Sequence, residues 1–476
     1  MSASDLWSIV PELWLAGLAI FLLLVDLLTA RKSLVGVVAV MGLLLSIIPI
    51  GSLLTQGART VIFGSYAVDG FAVFFKILTV IATALVVLAA IDWLPGRSQY
   101  EGEFYALLVF TALGLVLMAA STDIILLALS IEFVSLTSYV LAGYLKGDVK
   151  SNEAGVKYFL YGAAASAVML FGFSILYGLT GSTNLYEIAR RVANAPLPAL
   201  YLSIALMLSG FGFKISMVPF HQWTPDVYEG APTPVAAYLS VASKAAGFAA
   251  LVRMLMVVVD PGRLNWILLI AVLSAVSMTL GNLLALPQRN IKRMLAYSSI
   301  SHAGFLLIGV AAFRGDFGTP GLLIYLLGYM FTQLGAFFVA ALIGQQLGTD
   351  DIPDYAGLSR RAPVSALLMA VFMLSLTGFP PTSVFIGKFY VLAGAIDNGL
   401  LWLAIVGVVN SVISLYYYAG VIRAMYVMPA ASTVPLREPA ALQVALGIAG
   451  LGTLLIGLYP QPIIDLARSA VLLLRI

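Results

Sequence analysis

Residues 199–219 read ALYLSIALMLSGFGFKISMVP. The twenty positions before the proline carry one charge, Lys214. About 20 such residues, wound as a helix, match the hydrocarbon thickness of a bilayer, so this segment reads as a membrane span. Two features are costly in that setting. A lysine deep in the bilayer costs roughly 2.5–3.5 kcal/mol or more. Pro219 interrupts the helical hydrogen-bond ladder, and broken backbone at membrane depth is tolerated only inside protein or beside a cavity.

Similar apolar runs fill the chain on both sides: 13–30, 34–54, 71–91, 104–120, 124–145 and 158–179 before it. After it come 235–259, 266–286, 294–313, 321–344, 364–396, 400–428 and 440–459. With 61% hydrophobic and 10% charged residues in 476, the composition excludes a water-soluble enzyme, which would carry roughly a quarter charged. The runs lack period-2 alternation and exceed the length of barrel strands. An all-α, polytopic membrane fold of about fourteen transmembrane helices is predicted.

The broken segment has an internal echo. MLSGFGF (207–213) returns as MLSLTGF (373–379), with five of seven residues identical at an offset of 166. Pro219 follows the first copy, Pro380 and Pro381 the second. Paired helix breaks in two halves of a chain point to an ion or substrate path.

Charges inside the runs carry the functional signal. Lys214, Lys244 and Lys388 lie deep, Lys76 and Lys157 nearer the ends, where a lysine can snorkel to the interface. Glu132 is a lone acid in the fifth run. A desolvated lysine is poised to lose its proton and a nearby carboxylate opposes that loss, so lysines bridged by water can relay protons. Glu132 is expected to act on Lys214 electrostatically, with Lys157 and Lys244 alongside. His302 shares a helical face with Ser298, four residues earlier, and reads either as a relay group or as a packing histidine. His221, Asp226 and Glu229 follow the Pro219 break and read either as the mouth of a path or as helix-end polar groups. Asp26, near the end of the first run, reads as structural.

Other chemistries are excluded. The chain has no cysteine, so thiolate metal sites, iron–sulfur ligation and disulfides are absent, and its two histidines fit no metal motif. A net charge of +3 without a basic cluster argues against nucleic acid. Gly387–Lys388 does not complete a P-loop, and Gly210 and Gly212 do not complete a dinucleotide fingerprint. The start, with Asp5 and Glu12, lacks the basic region of a cleaved signal peptide.

Two stretches resemble a known family. KISMVPFHQWTPDVYEGAPTPVAAYLSVASK (214–244) and QRNIKRMLAYSSISHAGF (288–305) are similar to the proton-translocating membrane subunits of respiratory complex I, which resemble Mrp-type cation/proton antiporter subunits. PELWL near the start, Asp26, and GFPPTSVFIGKF (378–389) with lysine in the twelfth span resemble the subunit N (NuoN) type of NADH–quinone oxidoreductase. The resemblance implies inverted repeats over spans 4–8 and 9–13, each containing one broken helix. The corresponding division is 1–100 for three N-terminal helices, 101–260 and 261–430 for the repeats, and 431–476 for helix 14. It further implies a relay of Glu132, Lys157, Lys214, Lys244, His302 and Lys388. Flavin, iron–sulfur clusters, NADH and quinone are expected in partner subunits, none bound by this chain. Membrane-arm subunits of the M, K and J types are the expected partners, with the lipid bilayer.

On this reading the chain is a translocase subunit without a redox site of its own. A sodium/proton antiporter subunit is the alternative; a pure scaffold gives no reason to keep five intramembrane lysines and a glutamate. The connections favour both termini outside an inner (cell) membrane. Twelve basic residues, Arg31, Arg97 and Lys150 among them, then face the cytoplasm, against eight outside, including Arg59, Arg253, Arg263 and Arg475.

Overall fold

A computed structural model describes residues 3–259, 262, 264–430, 432 and 434–472. Arg263 and Arg475 lie outside the described residues. In chain order the spans are α1 (Val10–Leu28), α2 (Lys32–Ser52), α3 (Gly70–Trp93), α4 (Glu101–Ala120), α5 (Ile124–Ala142) and α6 (Val149–Thr180). The seventh is broken into α7a (Leu197–Ile215) and α7b (Trp223–Gly230). Then follow α8 (Thr233–Val258), α9 (Trp266–Ala285), α10 (Ile291–Ala311) and α11 (Gly318–Leu347). The twelfth is broken into α12a (Pro363–Thr377) and α12b (Ser383–Asp397), before α13 (Leu401–Tyr426), α14 (Ala440–Leu458) and a short α15 (Gln461–Leu472). Thirteen helices among the described residues are long and apolar enough to cross a membrane, and the broken twelfth accounts for the remaining run.

Polar residues at the run ends set where helices begin. Asp69 accepts a hydrogen bond from the Ala72 amide to start α3, and Asp123 caps α5 by accepting from Ile125 and Leu126. These caps satisfy amides that a first helical turn leaves unpaired. Asp148 caps α6 by accepting from Lys150, which brings the polar residues 149–157 into the helix and starts it nine residues before the apolar run.

One small element adds to the all-α fold, and one sequence expectation needs correction. A small antiparallel hairpin, β1 (Arg59–Val61) with β2 (Tyr66–Val68), joins α2 to α3 in register Arg59↔Val68. Ile62, Phe63 and Gly64 turn it with positive φ, a local geometry that leaves no trace in hydropathy. Arg253, counted above with the outer connections, is instead inside α8 and buried. Its guanidinium meets Asp69 at 2.8 and 3.1 Å, and burial of both partners is tolerable because the charges and hydrogen bonds are satisfied together.

The helices sort into an enclosed group and a surrounding one. Of the span windows, 94% of α10 and 89% of both α8 and α11 are buried within the chain, against 33% of α13 and 39% of α1, α2, α6 and α9. Aliphatic side chains such as Leu27, Leu28, Ile48 and Val412 face outward from the less buried helices, as a lipid-facing or partner-facing surface requires.

Candidate functional site

The buried cations lie on the enclosed helices or on the broken helices beside them. Lys214 is in the last turn of α7a and is 2% exposed. The chain then leaves the helix through Ser216 in the left-handed region and Pro219. No protein hydrogen-bond partner for Lys214 Nζ exists among the described residues. Glu132 lies on α5, and the buried Oε1 of its carboxylate is also without a protein partner among the described residues. One helix over, α8 passes Lys214 at Gly247, where a Cβ would lie 3.3 Å from the lysine's own Cβ.

Lys244 lies at the end of a π-helical turn, Leu239–Ser243, a geometry that often marks functional positions. Its ammonium donates to the Ser299 carbonyl at 3.0 Å and to the Ser299 hydroxyl at 2.9 Å on α10. Three residues further along α10, His302 has Nδ1 2.7 Å from the Tyr325 hydroxyl and Nε2 3.1 Å from that of Tyr418. The Tyr418 hydroxyl also meets Ser298 at 2.5 Å, so the Ser298/His302 face expected from their spacing converges on one phenol.

Lys388 completes the row. Its ammonium donates to the Leu376 and Thr377 carbonyls at 3.1 and 2.8 Å, and to the Ser411 hydroxyl at 3.3 Å. Those carbonyls end α12a, where the helix stops at Gly378 (φ 91°) before Pro380 and Pro381. The break therefore exposes helix-end oxygens and the negative end of a helix dipole, and together they solvate a cation inside the protein. Phe305, three residues after His302 on α10, presents its ring 4.5 Å from the same ammonium. One helix, α10, thus links Lys244, His302 and Lys388.

The remaining sequence candidates lie elsewhere. Lys157 pairs with Glu153 at 2.6 Å and Asp226 at 2.7 Å, with its side chain 37% exposed. Arg293 meets Asp226 at 2.7 Å and Glu229 at 3.1 Å, and Lys150 meets Glu229 at 3.3 Å. Asp226 and Glu229 therefore tie α7b to α6 and α10 in a partly exposed ion-pair cluster, separate from the buried row. His221, half-buried after the Pro219 break, makes no hydrogen bond or ion pair with either group, and its buried Nδ1 has no protein partner among the described residues. Asp26 is held by Lys32 at 2.6 Å at the α1–α2 turn. Sequence reasoning missed Tyr325, Tyr418 and Ser299, which look like ordinary span residues; only the helix packing reveals them. No group of three metal-ligating side chains occurs among the described residues.

The profile describing the transmembrane part of NADH:quinone oxidoreductases and Mrp antiporters matches residues 121–414. The chain is also 44% identical over 476 residues to NADH-quinone oxidoreductase subunit N of Trichlorobacter lovleyi, covering 98% of this chain and 97% of that one. This chain belongs to the subunit N family of NADH-quinone oxidoreductase. Subunit N 2 of Chloroherpeton thalassium is 45% identical over 434 residues, 88% of this chain and 84% of the other. A chain of respiratory complex I from Thermus thermophilus with bound aureothin superposes with a TM-score of 0.80 at 35% identity, covering 96% of this chain and 98% of that one. A chain of the Mrp complex from Dietzia sp. shares the fold at a TM-score of 0.88 and 21% identity, over 98% of this chain and 97% of that one.

Proposed function

We propose that this subunit N chain translocates protons within a quinone-reducing complex, driven by electron transfer in its partners. The observation that carries this reading is the row of buried titratable and hydroxyl side chains set on or against α10: Lys244 on Ser299, His302 with its two tyrosines, and Lys388 beside Phe305. Lys214, under the field of Glu132, receives charge from the neighbouring part of the complex and passes a proton toward Lys244. Lys388, solvated by the end of α12a, is the terminal donor and releases the proton on the outer side. Lys157, Asp226, Glu229 and His221 form a polar approach at the inner edge.

Spans 4–8 and 9–13 act as two inverted repeats, 101–260 and 261–430, with Lys214 and Lys388 in equivalent broken helices. The three N-terminal helices, 1–100, and the C-terminal part, 431–476, pack around them. Flavin, iron–sulfur clusters, NADH and quinone are held by partner subunits. The membrane-arm neighbours are of the M, K and J types, and both termini face the outside of the inner membrane. The antiporter alternative receives less support, since identity above 40% over nearly the whole chain is to subunit N proteins.

The test is Lys388→Ala in the whole complex in inverted membrane vesicles, with proton uptake and quinone reduction measured together. Uptake is expected to be lost while the complex still assembles. Unchanged uptake with intact assembly would remove Lys388 from the path, and sodium-dependent uptake without quinone reduction would favour the antiporter.

A further inference from the structure

A second group of buried ionisable side chains lies apart from the row. Glu12 on α1, Tyr66 on β2 and Lys76 on α3 are 6%, 1% and 0% exposed. Glu12 Oε1 is 2.9 Å from Lys76 Nζ. The Tyr66 hydroxyl sits between them, accepting from Lys76 and donating to Glu12. The other carboxylate oxygen, Oε2, is buried and has no protein partner among the described residues. Tyr66 thus offers a hydrogen-bonded route from Lys76 to Glu12 beside their direct 2.9 Å contact.

Polar side chains lead away from this group in two directions. Toward the N-terminal face, Ser8 precedes Glu12 by four residues and donates to Gln56 at 3.1 Å, while Arg59 donates to Ser8 and Gln56 at 2.9 Å each. Toward the core, Thr79 and Thr83 follow Lys76 at three and seven residues, on one face of α3. Both are wholly buried, and the Thr83 hydroxyl lies 3.1 Å from that of Tyr238 on α8. Tyr238 directly precedes the π-helical turn that delivers Lys244. These hydroxyls set a polar strip on α3 between the two clusters, and the Thr79 hydroxyl has no protein partner among the described residues.

We infer that Glu12, Tyr66 and Lys76 form a second proton-binding site toward the N-terminal face, connected to the Lys244 helix through Thr79, Thr83 and Tyr238. The inference rests on the proton-translocating reading above and adds a lateral branch to it. The internal step is balanced. The Lys76 ammonium gives an N–H proton to the Tyr66 oxygen as the Tyr66 O–H proton passes to Glu12, leaving a neutral amine, an intact phenol and a carboxylic acid. The reverse step restores the ion pair. Burial holds the Tyr66 phenol well above its ordinary pKa; Glu12 and Asp69 reinforce this and Arg253 opposes it. Tyr66 therefore passes one proton only as it receives another, and does not persist as phenolate. Net transfer follows when the Glu12 carboxylic acid releases its proton toward the surface past Ser8 and Gln56 and the Lys76 amine takes up another from the Thr79 side.

The test uses the assembled complex in inverted membrane vesicles with three variants. E12Q/K76M removes both charges at near-constant volume and leaves no unpaired buried ion. Y66F and T83V each remove one hydroxyl. The expected result is a lower ratio of protons moved to quinone reduced in all three, with quinone reduction retained. E12Q should also remove a protonated-carboxyl infrared band that forms on reduction of the complex, and E12D should restore it. Unchanged ratios in Y66F and T83V, with no carboxyl band assignable to Glu12, would overturn the inference and leave the group as a clamp between α1 and α3. If Lys388→Ala also pumps normally, the relay reading itself fails, which is a separate result.

Discussion

Lys244 illustrates how a single cation is kept inside the protein. It has two contacts to one residue, the Ser299 carbonyl and hydroxyl, and a hydrogen bond to a charged group is worth roughly 1.5–3 kcal/mol net. S299A removes only the hydroxyl, so we expect a moderate loss of thermal stability in detergent and slowed, not abolished, proton uptake. K244M should abolish uptake, because it removes the ammonium that meets Ser299 on α10. Equal effects of the two variants would show that Lys244 serves packing alone. The lysines of the row were legible in the sequence because a charge within an apolar run is costly and therefore stands out. Tyr325 and Tyr418 were not, since a tyrosine in a span is ordinary until its hydroxyl is seen against His302. Arg253 fell within an apolar run yet was counted outside, because its partner Asp69 is 184 residues away.

At the scale of the element, the break between α12a and α12b turns a backbone discontinuity into a cation site. Gly378 ends α12a with φ 91°, and a Cβ there would lie 2.8 Å from Lys388 Cδ. G378A therefore carries two costs. The left-handed conformation penalises a side chain by about 1–2 kcal/mol, and the crowded lysine stem is pushed off the Leu376 and Thr377 carbonyls. We expect a lower melting temperature and reduced proton uptake at unchanged quinone reduction per assembled complex. Wild-type uptake would mean that the carbonyl anchorage does not set how Lys388 works. Both breaks were readable from Pro219, Pro380 and Pro381 together with the repeated MLS…GF stretch. Their consequence, which oxygens become available and to whom, depended on how α12b folds back on α12a.

At the scale of the whole molecule, fourteen apolar runs became thirteen helices long enough to cross, α7a of the broken seventh among them, and the broken twelfth, so the count of spans was legible from hydropathy. The hairpin and the Arg253–Asp69 pair that ties it to α8 were not, because strand pairing and long-range ion pairs have no periodic signal. The proposed orientation rests on the basic connections and can be tested directly, since the chain has no native cysteine. A single cysteine at exposed Gln99, between α3 and α4, should react with a membrane-impermeant maleimide only from the cytoplasmic side. One at Phe63, at the tip of the hairpin and 96% exposed, should react only from the opposite side. The reverse pattern would invert the proposed orientation and the direction of release.

The sorting of helices into an enclosed group and a lipid-exposed sheath has an electrical consequence. On the proposed reading the sheath is a dielectric around the proton path, so a charge that enters from the inner face and leaves past Lys388 crosses part of the membrane voltage before it reaches bulk water. Full passage of one charge against 100 mV costs about 2.3 kcal/mol, and each internal hop bears its share of that sum. The subunit should therefore register a displacement current on the first internal transfer, and a charged membrane should slow its inner steps as well as its final release.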